Sequence, residues 1–412
     1  MRVAFVSPEF VTEGNYDGGL ANYLHRAGVS LLRLGHEPHV FVSSDRDESF
    51  ELDGICVHRV DVGPRWLHQL AARMLRRYRA LFSILWQSHR LNRRLRQLHA
   101  RHPLHVAQYS SYRATALFRP REIPAVVRLS SLEPQLDRGY ERDGPPALAR
   151  LTALLERRSI ARGERLIAPS RILARDAEVL TGRSVRVVES PFVRAPSEPD
   201  DALYREHLAA RRYALFFGTV GVLKGVKCIA EILEPLLERH KDLHFVFVGK
   251  DVRYRGRPML EYVRDRAGAH ARRVLHFDRM PRASLDPIIE HAEVVVLPSR
   301  VDNLPNACIE AMALGRIVVG TRGASFDQLI EEGVSGFLCE IDDRNSLLAA
   351  IERALASDRA QEIGERARAR IAELRPEVAG ARLVEVYEEL IGARARGRRE
   401  TVPAAGSTRL ES

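Results

Sequence analysis

Residues 297–321 read LPSRVDNLPNACIEAMALGRIVVGT, and this stretch decides the fold of the second half of the chain. It begins at the end of the apolar run Val294–Leu297, which predicts a parallel strand buried on both faces. Pro298 ends that strand, and Pro305 suits the first turn of a helix, where its missing N–H group costs nothing. The next apolar run, residues 317–319, predicts a neighbouring strand. The spacing therefore predicts a strand, loop, helix and strand of a parallel α/β sheet.

The loop of this unit carries polar side chains at the place where open α/β sheets bind ligands. Asp302 and Asn303 stand between the end of the strand and the start of the helix, and Glu310 stands about two turns further along. Free N–H groups and the helix dipole make a helix N-terminus favourable for phosphate. The pattern predicts an anion-binding loop, with an ordinary helix cap and a surface glutamate as the alternative.

Strands and helices alternate along both halves of the chain, and each half has a glycine-containing loop at the end of a predicted strand. Gly18-Gly19 opens the first helix and lets the backbone approach a ligand closely, although a tight turn without a ligand fits equally well. It is neither a G-x-G-x-x-G fingerprint nor a Walker loop, so redox and P-loop functions lose support. In the second half, Gly218 and Lys224 follow a predicted strand. A flexible ammonium there can follow negative charge on a leaving diphosphate, or simply be exposed to solvent.

Residues 297–321 resemble the Glu-x7-Glu region of the family 4 retaining glycosyltransferases, which have the GT-B fold. The resemblance takes in about residues 1 to 390 and is strongest from 213 to 338. It implies two Rossmann-like, doubly wound α/β domains facing a central cleft, with a nucleotide-sugar as substrate and no cofactor. The expected parts are an acceptor-side domain (1–193), a connector (194–212), a nucleotide-sugar-binding domain (213–376), a helix crossing back to the first domain (377–392) and a disordered tail (393–412).

The resemblance also implies roles for individual residues. In the family, the first acid and the amides after it meet the donor sugar and phosphate, and the second acid bonds the ribose hydroxyls. We therefore expect Lys224 and Asp302 to be catalytic and Glu310 to bind the ribose. The expected donor site is Gly18, Gly19, Gly218, Lys224, Asp302, Asn303, Leu304, Pro305, Asn306 and Glu310.

Three positions depart from the family's pattern. Asp302 stands where the family has the first glutamate. The family usually places an arginine five or six residues before the lysine, and here Gly218 and its neighbours occupy that ground. In the first half, Arg128 and the residues after it replace a frequent histidine. These departures leave open whether another cation or backbone amides hold the diphosphate, and they bear on acceptor chemistry more than on donor binding.

The expected reaction follows from the charges. Sugar transfer passes through an oxocarbenium-like state while negative charge builds on the departing phosphate. Lys224 is placed to stabilise that charge. The resemblance implies that the leaving phosphate accepts the acceptor's proton on the same face, which retains configuration, so no protein base is nominated. The sequence shows no metal-ligand cluster, and no metal is expected.

Basic residues are concentrated in the first half. The net charge is +10, and residues 62–121 contain thirteen arginines and no acidic residue. Trp66 and Trp86 bracket an amphipathic helical pattern, which is typical of a helix at an anionic membrane surface. Its apolar stripe is Leu67, Leu70, Met74, Tyr78, Leu81 and Leu85, and its basic side is Arg73, Arg76 and Arg79, with Arg77 near the boundary. We expect the region from Trp66 to Arg101 to bind such a surface. An ordinary helix with its stripe in the core is the alternative, and no nucleic-acid recognition motif accompanies the charge.

Composition is that of a folded, intracellular chain. The hydrophobic fraction is 45%, and the four cysteines form no CxxC pair, so neither a zinc site nor a disulfide framework is expected. No signal-peptide pattern precedes the first strand, and no uncharged apolar run approaches 18 residues. Only four lysines accompany the many arginines, as in proteins of GC-rich bacteria. The cytoplasm, with peripheral attachment to the inner face of the membrane, is the expected compartment.

The sequence therefore predicts a bacterial glycosyltransferase. It would move a sugar from a nucleotide-sugar to a glycan or lipid-linked saccharide, with retention. Two alternatives stay open: another GT-B enzyme such as a sugar-nucleotide epimerase, and a non-catalytic nucleotide-sugar-binding protein.

Overall fold

The computed structural model describes residues 1–14, 19–63, 79–130, 147–194 and 198–400. Within them, the chain forms two α/β domains, each built on one large, mainly parallel sheet. The predicted fold class is confirmed. Gly18 and residues 64–78, which include most of the predicted membrane-surface helix, lie outside the described residues. Among the helices that the structure describes, none is long and apolar enough to cross a bilayer.

The first domain is built on an eight-stranded sheet. Its strands are β1 (Arg2–Ser7), β2 (Glu37–Ser44), β3 (Glu48–Leu52), β4 (Ile55–Asp61), β5 (Val106–Ser110), β6 (Ala125–Arg128), β7 (Arg165–Ala168) and β8 (Arg186–Val187). Their order across the sheet is β3-β4-β2-β1-β5-β6-β7-β8, and every neighbouring pair except β3 and β4 is parallel. The carboxyl ends of the parallel strands consequently lie along one edge of the sheet.

The antiparallel edge strand β3 has no counterpart among the strands predicted from the sequence. It pairs with β4 through Asp53 and Gly54, whose φ angles of 50° and 81° fit a two-residue hairpin turn. Its glutamates are exposed, as is common on an edge that must not pair with another chain. The Asp-Gly pair between these two short strands is the sequence feature from which the hairpin could have been predicted.

The second domain is built on a six-stranded sheet in which all neighbouring strands are parallel. Its strands are β9 (Arg212–Phe217), β10 (Leu243–Val248), β13 (Val274–Phe277), β14 (Val294–Leu297), β15 (Val318–Thr321) and β16 (Phe337–Cys339), in the order β13-β10-β9-β14-β15-β16. A small hairpin, β11 (Arg253–Tyr254) with β12 (Arg257–Pro258), stands apart from it. The side chains of β9, β10 and β14 are almost all buried, as expected for strands covered by helices on both faces.

Helices cover the faces of both sheets. In the described residues they are α1 (Gly19–Arg33), α2 (Arg79–Arg101), α3 (Ala147–Ala161), α4 (Arg171–Thr181), α5 (Ala202–His207), α6 (Val226–Arg239), α7 (Met259–Ala267), α8 (Arg282–Glu290), α9 (Asn306–Ala313), α10 (Arg344–Leu355), α11 (Ala360–Ala372) and α12 (Pro376–Glu400). Helix α9 begins one residue later than the sequence predicts. Pro305 is its N-cap, with an extended ψ of 103°, so the proline lies just outside the first turn and not within it.

The last helix, α12, packs against the first domain although it follows the second domain in the chain. Its residues Leu383, Val386, Tyr387 and Leu390 are buried in the first-domain core beside β1, β2 and α1. The tail expected from residue 393 is wrong in its first part, since α12 continues to Glu400. The helix continues because Arg394 attaches it to the first domain: its guanidinium donates to the Glu164 carboxylate, with Nε and Oε2 2.6 Å apart. No hydrophobic periodicity in the sequence indicates such a contact. Residues 401–412 lie outside the described residues.

Candidate functional site

A cavity of about 840 Å³ lies between the two domains, at the carboxyl ends of their strands. Its first-domain wall follows the ends of β1, β6, β7 and β8 and the start of α1, and its second-domain wall follows β9, β14 and the start of α9. Open α/β sheets bind ligands at this edge, and the volume is within the range of small-molecule sites.

The structure brings most of the predicted site residues together in this cavity. Eight of them line it: Gly19, Gly218, Lys224, Asp302, Asn303, Leu304, Pro305 and Asn306. Glu310 does not line it, and Gly18 lies outside the described residues. Within the part of the chain that the structure describes, no group of three or more histidine, cysteine or acidic residues is placed to hold a metal ion.

Lys224 and Asp302 form an ion pair inside the cavity. The ammonium Nζ donates to Oδ2 of Asp302 at 2.6 Å. The aspartate side chain is 15% exposed and the lysine 38%, so the pair faces the cavity but is not fully open to water. A partly desolvated pair of this kind is worth more than a surface ion pair, and its cation remains able to meet an incoming anion.

Gly225 makes this pairing sterically feasible. Its φ is 75°, and a Cβ atom built on it would lie 1.8 Å from the carbonyl oxygen of Pro298. The loop after β9 therefore touches the loop after β14 backbone to backbone, and a further bond from the Arg300 N–H to the Leu223 carbonyl, at 3.0 Å, joins the two loops. This close approach places Lys224 beside Asp302.

Asn303 reaches across the cavity to the first domain. Its side-chain Nδ2 donates to the backbone carbonyl of Ser130, and its backbone N–H donates to Oδ1 of Asp302 at 3.1 Å. Its Oδ1 atom is buried without a hydrogen-bond partner among the described residues. Asn303 thus holds the two walls together and presents an unused acceptor.

The N-terminus of α9 points an uncapped turn at the same space. Pro305 is the N-cap residue, and no side-chain oxygen accepts a hydrogen bond from the N–H groups of the first turn. The first backbone hydrogen bond of the helix runs from the Ile309 N–H to the Pro305 carbonyl. The N–H groups of residues 306–308 precede that bond and have no intrahelical acceptor. Asn306 and Ala307 line the cavity, so these donors and the helix dipole are available to an anionic ligand.

Glu310 lies outside the cavity lining and is already paired. Its Oε2 accepts a hydrogen bond from Arg282 at 2.7 Å, and its Oε1 lies 3.7 Å from Nη2 of Arg26. Arg26 belongs to α1 of the first domain and also donates to Oδ1 of Asn306 at 3.3 Å. Burial lowers the pKa of Arg26, and the Glu310 carboxylate acts in the opposite direction. Glu310 therefore joins the two domains.

Arg128 also lines the cavity, although the sequence patterns predict no role for it in the donor site. It ends β6, is 5% exposed, and donates from Nη2 to Oγ of Ser190 at 3.0 Å. Its guanidinium carbon lies 3.5 Å from the centre of the Tyr23 ring. A charged residue at the carboxyl end of an apolar strand, Ala-Val-Val-Arg, was the signal that could have identified it.

Two family models match the chain. Residues 18–192 match the model described as "Glycosyl transferase 4-like domain", and residues 211–357 match "Glycosyl transferases group 1". Together these matches take in most of both domains. The chain belongs to the glycosyl transferases group 1. The glycine-containing loops and the Asp302 region of this group 1 chain both fall inside the matched residues.

Two curated relatives support the assignment. The chain is 29% identical over 175 residues to alpha-D-kanosaminyltransferase of Streptomyces kanamyceticus, covering 42% of this chain and 44% of that protein. It is 25% identical over 217 residues to lipopolysaccharide 1,2-N-acetylglucosaminetransferase of Salmonella typhimurium, covering 50% of this chain and 56% of that protein. The matches therefore span about half the length of these relatives.

The GT-B fold is shown by structural similarity. Sucrose-phosphate synthase from Thermosynechococcus elongatus superposes with a TM-score of 0.72 at 18% identity, over 95% of this chain and 99% of that one. At this identity the likeness establishes the architecture of the group 1 chain, and its chemistry must be argued from its own residues.

Proposed function

We propose that this group 1 chain transfers a sugar from a nucleotide-sugar donor to a glycan or lipid-linked saccharide, with retention of anomeric configuration. The observation that carries the proposal is the Lys224–Asp302 pair, held at 2.6 Å in the interdomain cavity beside the uncapped start of α9. The names of the curated relatives, two sugar transferases of which one acts on lipopolysaccharide, support the same class of reaction.

The second-domain wall supplies what a departing diphosphate needs. Lys224 is a compact cation on a flexible stem, and the free N–H groups of residues 306–308 add fixed dipoles. Negative charge on the phosphate grows as the bond to the sugar breaks, so these groups stabilise the transition state more than the ground state. Asp302 orients the ammonium and offers its other oxygen to a hydroxyl of the sugar.

Retention follows if the acceptor attacks from the side on which the diphosphate leaves. The bond between the anomeric carbon and the phosphate oxygen breaks, and the bond to the acceptor oxygen forms on the same face. The proton of the acceptor hydroxyl passes to the departing phosphate, so charge and atoms balance without a protein base.

The decisive experiment is a mass balance on a panel of nucleotide-sugars. We expect release of nucleoside diphosphate in equal amount with a new glycoside, whose anomeric proton coupling in NMR matches that of the donor. An altered donor sugar without nucleotide release would identify an epimerase. Binding of a donor without any turnover on a broad acceptor panel would identify a binding protein. Either result would overturn the proposed transfer.

Peripheral attachment to an anionic membrane completes the proposal. Five large apolar side chains on α2, α3 and the loop after β5 are each 38–46% exposed: Phe82, Trp86, Phe118, Leu151 and Leu154. Two of them share a neighbour, since the His89 ring stacks on Trp86 and meets Phe118 edge-on. Arg90 lies 6.0 Å from the Trp86 ring centre, and exposed arginines follow along α2. Apolar side chains flanked by cations fit an anionic lipid surface.

Membrane attachment has its own test. We expect the wild type to co-sediment with vesicles containing anionic lipid at low salt and to be released at high salt. The double variant Phe82→Ser and Trp86→Ser should sediment much less. Val179→Ser with Ile341→Ser is the matched control, because those side chains are exposed but lie on other elements. If the wild type stays in solution at low salt, a soluble acceptor replaces the lipid-linked one.

A further inference from the structure

Arg128 is a buried cation without an acidic partner in the part of the chain that the structure describes. Its side chain is 5% exposed, and its Nε atom has no hydrogen-bond acceptor. Its hydrogen bond from Nη2 goes to the neutral hydroxyl of Ser190, and the other close neighbour is the face of the Tyr23 ring. Arginines are seldom buried unless a carboxylate compensates their charge.

The surroundings hold this guanidinium in one position. Its central carbon lies over the Tyr23 ring, and the Tyr23 hydroxyl accepts a bond from Gln108 Nε2 at 3.0 Å. The same glutamine accepts a bond from the Tyr387 hydroxyl of α12 at 2.8 Å. The stack offsets part of the cost of burying the charge but supplies no counter-ion. A rigid cation therefore stands in the cavity wall with an unused donor.

The position of Arg128 separates it from the donor groups already described. It ends a strand of the first domain, whereas Lys224, Asp302 and the start of α9 belong to the second. Ser130 and Tyr112, which line the same first-domain wall, add polar groups suited to a sugar or phosphate. Asn303 contacts the carbonyl of Ser130, so this wall borders the predicted reacting centre.

We propose that Arg128, with Ser190, binds an anionic group of the acceptor, a carboxylate or a phosphate, on the first-domain side of the cavity. The planar fork of an arginine matches either anion with two parallel bonds. Such an anion would supply the counter-charge that Arg128 lacks. The assignment to the acceptor rests on the proposed transfer reaction, whereas the existence of an anion site at Arg128 does not.

The other source of the same chemistry is an acidic donor sugar. A hexuronic acid on the nucleotide would carry its carboxylate into the cavity together with the diphosphate. The two sources differ in one observable way, since an acceptor site stays open when a donor is bound and a donor-sugar site does not.

The test uses the full chain, inorganic phosphate as the probe, and saturating UDP, ADP or GDP, whichever binds, to fill the diphosphate site. We expect phosphate to raise the melting temperature further, which indicates a second anion site. Arg128→Gln should weaken this phosphate binding at least tenfold and leave nucleotide affinity unchanged. Arg175→Gln, which removes an exposed arginine of α4, is the control and should change neither. Arg128→Lys keeps the charge without the fork and should give a folded protein with weakened phosphate binding.

The source of the anion is then separated by competition. Phosphate binding that persists with a bound neutral hexose of the nucleotide that binds, and also with its hexuronate, places the anion on the acceptor, as proposed. Phosphate binding lost only with the nucleotide-hexuronate moves the anion to the donor sugar and overturns the acceptor assignment. Equal stabilisation of the wild type and both Arg128 variants overturns the site itself. None of these readings depends on turnover, so a failure of the proposed transfer would be seen separately.

Discussion

Replacing Gly225 with alanine tests whether the contact between the two second-domain loops positions the cation. Gly225 and Gly182 both have positive φ, at 75° and 65°. A Cβ atom at Gly182 would meet nothing within 4 Å, whereas one at Gly225 would lie 1.8 Å from the Pro298 carbonyl oxygen. The left-handed backbone alone costs an alanine about 1–2 kcal/mol at either site. The clash requires a shift of about 1 Å or more and adds about 1–3 kcal/mol.

Two measurements distinguish the variants. Gly225→Ala should melt several degrees below Gly182→Ala, because each kcal/mol shifts the midpoint by roughly 2–4 °C in domains of this size. It should also lose turnover by about 10²-fold, because a displaced loop moves Lys224 away from Asp302 by a distance that matters to catalysis. Gly182→Ala should keep its activity. If Gly225→Ala melts no lower than Gly182→Ala and retains full turnover, the loops do not position the cation as described.

Three further predictions use the same assays. Lys224→Ala should lower turnover far more than stability, with Lys227→Ala in the next helix as the control that keeps full activity. Glu310→Ala should lower the melting temperature, because Arg282 and Arg26 both lose their carboxylate partner. The resemblance to the ribose-binding acid of the family also predicts a roughly tenfold loss of nucleotide affinity, since a charge-assisted hydrogen bond is worth about 1.5–3 kcal/mol; unchanged affinity in calorimetry would contradict that role. Burial and the neighbouring His39 lower the pKa of His58 to about 4. In the unfolded chain His58 binds a proton near pH 6.5, whereas in the folded chain it stays neutral down to about pH 4. The free energy of unfolding should therefore fall by about 3 kcal/mol as the pH drops from 6.5 to 4, and the fall should be smaller in His58→Gln.

Local sequence patterns predicted the parts of the site that depend on local structure. The apolar run, the two prolines and the polar loop around Asp302 all belong to one short strand–loop–helix segment, so neighbouring residues were enough to predict their places. Lys224 was predicted in the same way, because a predicted strand and a glycine precede it in the sequence. The structure places these separately predicted loops in contact, and parallel topology explains why, since both follow strands that are neighbours in the sheet.

Contacts between the domains could not be predicted in the same way. Glu310 faces Arg26, from the first helix of the chain, and Arg282, from the helix before its own, and no periodicity in a chain with many arginines singles out those two. Arg128 was visible as a departure from the family pattern. Its importance depends on burial without a counter-ion, which is a property of the folded surroundings. The same applies to Arg394, whose bond to Glu164 extends the last helix.

The path of α12 has a consequence for the order in which the molecule is completed during synthesis. The core of the first domain includes Leu383, Val386, Tyr387 and Leu390 from that helix. When a ribosome has made the first 193 residues, this apolar surface still has no cover. The second domain, whose core lies within its own stretch of chain, can close earlier. The domain that is translated first is therefore the last to be finished, and until then its open face needs protection from association with other chains.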